Sequence, residues 1–344
     1  MIKTTPSRMA AEVAEIPVAL ERLLRDGADD IRAAAHAARA LSPAVIATVA
    51  RGSSDQAASY FKYAAELTLG LPVASIGPSV ASIYGAQLHL QNAVCIAVSQ
   101  SGASPDIVEM ARSARASGAL TLAVTNDRAS RLAETCAATL DIHAGPEISV
   151  AATKTFVTSV AALLALIAEW KGDPDLKAAL QRLPEQLARA AEIDWAELRA
   201  ALAGASSLYT LGRGPAFAIS GEAALKFKEI SQIHAENYSS AEVLHGPVSI
   251  VGQGFPVLAF AARDAAETVV AEIADQLAAK GAQVLITSDK AKTAGCLPFV
   301  ATGHPLTDPL ALIITFYATV ERFARDSGVD PDKPRHLRKI TETI

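Results

Sequence analysis

From residue 42 almost to the C-terminus, short apolar runs of strand type alternate with longer segments of helical type, and the alternation occurs twice. Parallel strands need helical crossovers, and those helices then cover both faces of the sheet, so this order specifies an α/β fold. In the first half the pattern predicts strands over 44–50, 93–98, 119–125 and 139–143, with helices over 55–69, 106–117 and 153–170. In the second it predicts strands over 207–211, 256–261 and 283–287, with helices over 215–233, 264–280 and 309–325. Arg51-Gly52 recurs as Arg213-Gly214, and Thr125-Asn126-Asp127 recurs as Thr287-Ser288-Asp289, both at a shift of 162 residues. One offset for two echoes favours a duplicated domain. The expected organisation is N-terminal helices over 1–41 (at 7–25 and 29–41), a first domain over 42–172, a charged helical connector over 173–203, a second domain over 204–327 and a tail over 328–344. Pro174 and Pro184 are expected to break the connector.

With 344 residues, 51% of them hydrophobic, the chain can bury a large core. Its net charge of −5 and the lack of a basic block with interleaved aromatics argue against a nucleic-acid partner. No apolar run reaches the roughly 18 residues of a membrane span, and the polar start with Glu12 and Glu15 does not read as a signal peptide. Three widely spaced cysteines, Cys95, Cys136 and Cys296, sit among apolar residues, which fits a reduced cytoplasm better than a disulfide scaffold or zinc cluster. No Gly-x-Gly-x-x-Gly follows either first strand, and neither a P-loop nor a His-Glu-x-x-His motif occurs. The reading therefore expects no cofactor and no metal.

The apolar run 93–98 stops at Ser99-Gln100-Ser101-Gly102-Ala103-Ser104-Pro105, and a helical pattern follows at once. Free N–H groups at such a handover favour an anion, with Ser104 suited to the N-cap and Pro105 to the first helical position. The plain alternative is a helix cap and nothing more. Arg51, Gly52, Ser53 and Ser54 follow the first strand of the same half. Parallel α/β sheets bind ligands beyond the C-terminal ends of their strands, so two serine-bearing loops there can surround one phosphate.

In the second half, Glu222, Lys226, Glu229 and Ile233 share one helical face by their spacing. That stripe reads either as surface ion pairs or as a carboxylate, Glu229, partly buried between Phe227 and Ile230 and tuned as a base. His245, before a Gly-Pro turn, suits proton transfer near neutrality, the alternative being a structural histidine. The other six histidines, His36, His89, His143, His234, His304 and His336, are read as structural. The tail clusters Lys333, Arg335, Arg338 and Lys339. It reads as a solvated terminus, or as a segment folded over the anion site with a lysine for electrostatic or Schiff-base chemistry.

Taken together, the two halves resemble paired sugar isomerase (SIS) domains, and the chain is similar to the isomerase part of glucosamine-6-phosphate synthase over about residues 9–339. The passages that carry this are Ser99-Gln100-Ser101-Gly102, Val150-Ala151-Ala152-Thr153-Lys154, Glu222 through Lys226 to Glu229-Ile230-Ser231, His234-Ala235-Glu236, His245-Gly246-Pro247 and Asp332-Lys333-Pro334-Arg335. The resemblance implies two three-layer αβα domains with flavodoxin-like parallel sheets. It implies that Ser99, Gln100, Ser101 and Ser104, helped by Gly52, Ser53 and Ser54, hold a sugar phosphate, and that Val150 and Ala152 line the sugar. Glu229 would move a proton between C1 and C2, His245 would open the ring from a neighbouring subunit, and Lys339 would match a Schiff-base lysine in the tail. The family also implies a homodimer whose partner molecule is a phosphorylated, typically amino, sugar.

Arg51 stands where the synthase has a cysteine, and Ala152 where it has a serine. No cysteine lies near Met1 to act as a glutaminase nucleophile, so the reading expects free ammonia and an amino-sugar phosphate isomerase/deaminase. The alternatives are a glutamine-independent or partner-fed aminotransferase-like enzyme, a related ketose/aldose isomerase, a fructosamine-phosphate deglycase, or a non-catalytic phosphosugar sensor.

Overall fold

The computed structural model describes residues 6–339. Two compact units emerge among the described residues: one holds Ile16–Glu147, Lys154–Pro184 and 338–339, the other holds 6–15, Ile148–Thr153 and Glu185–Leu337. The first contains β1 (Ile46–Val49), β2 (Val73–Ser75), β3 (Val94–Val98), β4 (Leu120–Thr125) and β5 (Ala138–Asp141), in the order β2-β1-β3-β4-β5. All pairings are parallel, with β3 between β1 (Ile46 beside Val94) and β4 (Val94 beside Leu120). The second contains β6 (Ser207–Gly212), β7 (His234–Ser239), β8 (Pro256–Ala259), β9 (Gln283–Ile286) and β10 (Gly295–Cys296), in the order β10-β9-β8-β6-β7, again all parallel. Counted from its own first strand, each sheet reads 2-1-3-4-5, the flavodoxin-like order, with helices on both faces. The expected αβα class, twice over, is what the chain forms. The echo also survives in the backbone: Gly52 (φ 59°, ψ −134°) and Gly214 (φ 60°, ψ −136°) take the same conformation at equivalent helix starts.

Packing follows from sequence. The helix Lys154–Lys171 is apolar around most of its circumference, and a helix of that kind must be enclosed. It is buried along nearly its whole length against the helices Ile16–Asp26, Ala28–Leu41 and Ser53–Leu69 of the same unit. In the other unit, Asp308–Asp326 packs on Pro215–Lys226, and the Phe316 ring lies 5.0 Å from Phe227 and 6.0 Å from Phe260.

Several expectations need correction. The helix expected over 7–25 is two, Arg8–Ala14 and Ile16–Asp26, because Pro17 has no N–H to continue the first ladder and suits the first turn of the second. Pro184 does not break the connector: the helix Pro174–Glu192 runs through it. The missing hydrogen bond costs about 3 kcal/mol, and burial of Leu176, Leu180, Leu183 and Leu187 along one face offsets it. Pro174, instead of breaking the chain, opens that helix. The helix expected over 215–233 ends at Lys226, continues as a π-turn at Phe227–Ser231, and is stopped by Gln232 in the left-handed region (φ 55°). Ile233 therefore leaves the helical face, and the polar edge strand β7 begins beside it.

Candidate functional site

The turn after β3 is built around Gly102. Its φ of +58° favours glycine, and a Cβ there would lie 2.1 Å from Ser130 Oγ. The Gln100 carbonyl accepts from Asn126 N (3.0 Å) and Thr125 Oγ1 (3.2 Å), and Gly102 N donates to Ser99 O (3.2 Å). Ser104 occupies the N-cap of the helix Pro105–Ala116, but its side chain makes no capping bond. Among the described residues no acceptor within the chain meets the N–H of Gln100, Ser101 or Ser104. The capping account thus explains the position of Ser104 and not its hydroxyl, which borders a pocket with Ser54, Ser99, Gln100, Ser101 and Lys339. Gly52 and Ser53 adjoin Ser54 at the start of the helix Ser53–Leu69. These are neutral donors at a helix N-terminus, a setting that suits an anion.

Two cations flank the pocket, each backed by a fully buried acid. Lys339 Nζ lies 2.7 Å from Glu147 Oε2, and Glu147 is fixed by Thr155 N (3.0 Å) and Thr155 Oγ1 (2.8 Å) at the start of the helix Lys154–Lys171. Arg51 Nε donates to Asp106, which the first turn of Pro105–Ala116 carries into the interior. The sequence placed Arg51 in the loop after the first strand, at the ligand end of the sheet, and marked it as a departure without giving it a role, and it did not single out Glu147. The Glu147–Lys339 pair spans 192 positions, beyond any local pattern.

In the other unit the stripe Glu222–Lys226–Glu229 is an interior network. Lys226 Nζ lies 2.6 Å from Glu229 Oε2 and 3.2 Å from Glu222 Oε1, and Tyr317 donates to Glu222 Oε1 (2.9 Å). Burial opposes the Lys226 charge, yet the carboxylates of Glu222 and Glu229 outweigh it and hold the ammonium above the ordinary lysine range. Glu229 keeps 20% side-chain exposure. The π-turn delivers that access, since its wider winding shifts Glu229 off the regular helical ladder. The surface-pair account of this stripe is overturned by the burial of Glu222 and Lys226.

His245 is exposed, set by a 3₁₀ turn (Glu242–Leu244) on one side and Gly246 on the other. The φ of +135° at Gly246 favours glycine. Val150 and Ala152 are half-buried and alternate with buried Ser149, Ala151 and Thr153. Glu12 Oε1 holds the start of that segment by accepting from Ile148 N and from Ser149 N (3.0 Å). The described residues thus divide the expected site: the serine turns and Lys339 belong to one unit, while Val150, Ala152, Glu229 and His245 belong to the other.

The turn after β8, counterpart of the Ser99 turn, carries no serine between Phe260 and Asp264. Its Arg263 stacks 3.9 Å from the Phe299 ring and donates to Thr287 O (2.7 Å), so a protein cation is tied down in this turn. Of the two turns, only that of the first copy carries serine hydroxyls.

A doubled 2-1-3-4-5 sheet with one serine-lined strand-to-helix turn defines the class of tandem sugar-isomerase-type α/β folds. The sequence matches the SIS domain family over residues 43–169 and 201–295, and the chain belongs to that family. It is 36% identical over 314 residues to the glutamine–fructose-6-phosphate aminotransferase (isomerizing) of Symbiobacterium thermophilum, covering 86% of this chain and 51% of that protein. The chain therefore spans about half the length of such relatives. Among solved structures, a candidate phosphosugar isomerase from Silicibacter pomeroyi is 61% identical with a TM-score of 0.93, over 95% of this chain and 100% of that one. A glucosamine-6-phosphate deaminase from Thermotoga maritima shares the fold at 19% identity, with a TM-score of 0.78, over 98% of this chain and 100% of that one. No described helix is long and apolar enough to cross a membrane.

Proposed function

We propose that the chain is an amino-sugar phosphate isomerase/deaminase that converts glucosamine 6-phosphate and water into fructose 6-phosphate and ammonia. The observation that carries the reading is the pocket at the end of β3, where the Ser54, Ser99 and Ser104 hydroxyls make no hydrogen bond among the described residues and whose rim holds Lys339. Ser54, Ser99, Gln100, Ser101 and Ser104 receive the phosphate, with Gly52 and Ser53 shaping the adjoining helix start, and Val150 and Ala152 line the sugar. His245 protonates the ring oxygen as O1 loses its proton, opening the ring to the aldehyde. Glu229 takes the C2 proton and returns it to C1, while the aldehyde oxygen gains a proton and the C2 nitrogen gives one up, so that an alcohol is left at C1 and an imine at C2. Water adds to that imine and ammonia departs, giving the ketose. Lys226 stays an ammonium beside Glu229, a fixed positive charge that steadies the carboxylate as it gains and loses a proton. Lys339, paired with Glu147, supplies positive charge at the pocket.

Supporting this reading, the similar aminotransferases are named as isomerizing enzymes of fructose 6-phosphate, and the shared fold extends to a protein named as a glucosamine-6-phosphate deaminase. The family resemblance adds a homodimer and a cytoplasmic setting to the proposal. Purified protein is expected to release ammonia and fructose 6-phosphate in equal amounts from glucosamine 6-phosphate. Glu229→Gln is expected to lower turnover by about 10²–10⁴-fold while still binding inorganic phosphate. Aldose–ketose exchange without ammonia would replace the deaminase with a plain isomerase, and binding with no turnover of any phosphosugar would leave a sensor.

A further inference from the structure

We propose that Arg51 is itself a ligand of the substrate's phosphate, with its guanidinium held by Asp106 through Nε and its two terminal nitrogens turned to the anion that the Ser99–Ser104 turn receives. This rests on reading the pocket as a phosphate site and is independent of the reaction. Arg51 lines the pocket, and its side chain is 46% exposed whereas that of Asp106 is 0% exposed. Its Nε bond to Asp106 is made, and among the described residues neither Nη1 nor Nη2 has a partner within the chain.

The chemistry explains why an arginine is needed here. Asp106 sits in the first turn of the helix whose N-terminus faces the pocket, and its carboxylate would repel an arriving anion. A guanidinium can neutralise that carboxylate with one nitrogen and still offer two more to a phosphate in a planar fork. A lysine ammonium is a point charge and cannot do both in one geometry. Without Arg51, among the described residues lining the pocket only Lys339 would offer charge assistance, and its Nζ already meets Glu147. The repeat supplies an internal comparison. Arg213 is the counterpart of Arg51 and is likewise exposed, but its unit's turn at Phe260–Asp264 has no serine and holds Arg263 instead. Arginine and serine turn occur together only in the first copy. Because Arg51 is permanently charged, binding should favour the phosphate dianion, strengthening between pH 5 and 7 as the second proton leaves near a pKa of about 6.

The test is calorimetric titration of the full chain with inorganic phosphate, then with glucosamine 6-phosphate, at pH 7.5. Arg51→Gln alone strands a buried carboxylate and can compromise folding, so the informative variant is Arg51→Gln with Asp106→Asn. That pair is expected to keep a near-wild-type melting temperature and to bind both probes about 10–100-fold more weakly, as expected for loss of charge-assisted hydrogen bonds. Arg51→Lys should recover little of the loss. Binding by the double variant within twofold of wild type would overturn the assignment. So would a wild-type protein that binds neither probe, which would also remove the phosphate pocket. Weakened phosphate binding in the double variant, beside a wild type that releases no ammonia, would uphold Arg51 and dismiss only the deaminase.

Discussion

Lys226 ends its helix fully enclosed, so its ammonium is balanced by the Glu222 and Glu229 carboxylates in place of water. Such a pair adds little over an apolar replacement, but breaking it from one side leaves buried charge. Lys226→Met is therefore expected to destabilise the protein by about 3–5 kcal/mol, because two carboxylates would then face each other across an apolar gap. Adding Glu222→Gln should return part of that loss, and equilibrium urea unfolding measures both. The sign with pH follows from the raised pKa. The pair's contribution is complete below the unfolded lysine value of about 10.4, and it is lost only as alkali passes the higher folded value. Neutral buffers should show the full effect. Spacing alone could align these three side chains, since i,i+3 and i,i+4 neighbours meet on any helix. It could not say whether they faced water, because that depends on the covering helix Asp308–Asp326, whose Tyr317 reaches Glu222 from 95 positions away.

Elements were legible wherever burial is two-sided. Strands β1, β3, β4, β6, β8 and β9 are short apolar runs in sheet interiors, and their alternation with helices announces the fold. The strands that escaped notice are β2, β7 and β10, all at sheet edges, either very short or polar like His234–Ser239. An edge strand needs no apolar run, so its sequence carries little signal. The Ser99 turn was legible for the opposite reason: glycine, N-cap serine and proline each have a local backbone role. What the sequence hid was the tightness around Gly102, whose carbonyl accepts from Leu132 N (3.1 Å) just beyond the N-cap Ser130. Gly102→Ala must force the left-handed backbone on a Cβ and push against both Ser130 Cβ (2.5 Å) and Oγ. A loss of about 1–3 kcal/mol is expected, together with at least tenfold weaker phosphate binding. Melting curves with and without inorganic phosphate would show both, and a variant with unchanged phosphate-induced stabilisation would mean that the turn does not shape the pocket.

At the scale of the whole molecule, the three cysteines report which parts of the chain ever meet water. Cys95 lies in β3, and Cys136 lies beside β5 in the same unit; both are buried. Burial pushes the Cys95 thiol up to about 12 and the Cys136 thiol up to about 11. Cys296 stands on the edge strand β10 and is exposed, although the sequence around it looked as apolar as that around the others. Partial desolvation and the nearby Asp289 charge raise its own pKa. Since the thiolate is the reacting species, a soluble disulfide reagent at pH 8 should modify one thiol in the native protein and all three in denaturant. Raising the pH from 7 to 9 should speed the Cys296 reaction while leaving Cys95 and Cys136 untouched, because that range stays below their titration and neither is open to the reagent. Mass spectrometry of the labelled peptides assigns the sites. Labelling of Cys95 or Cys136 in the native protein, without loss of the overall unfolding transition, would mean that the first sheet opens separately from global unfolding. A phosphate ligand should then slow that labelling, since the pocket at the end of β3 belongs to the same unit and binding there stabilises its closed form.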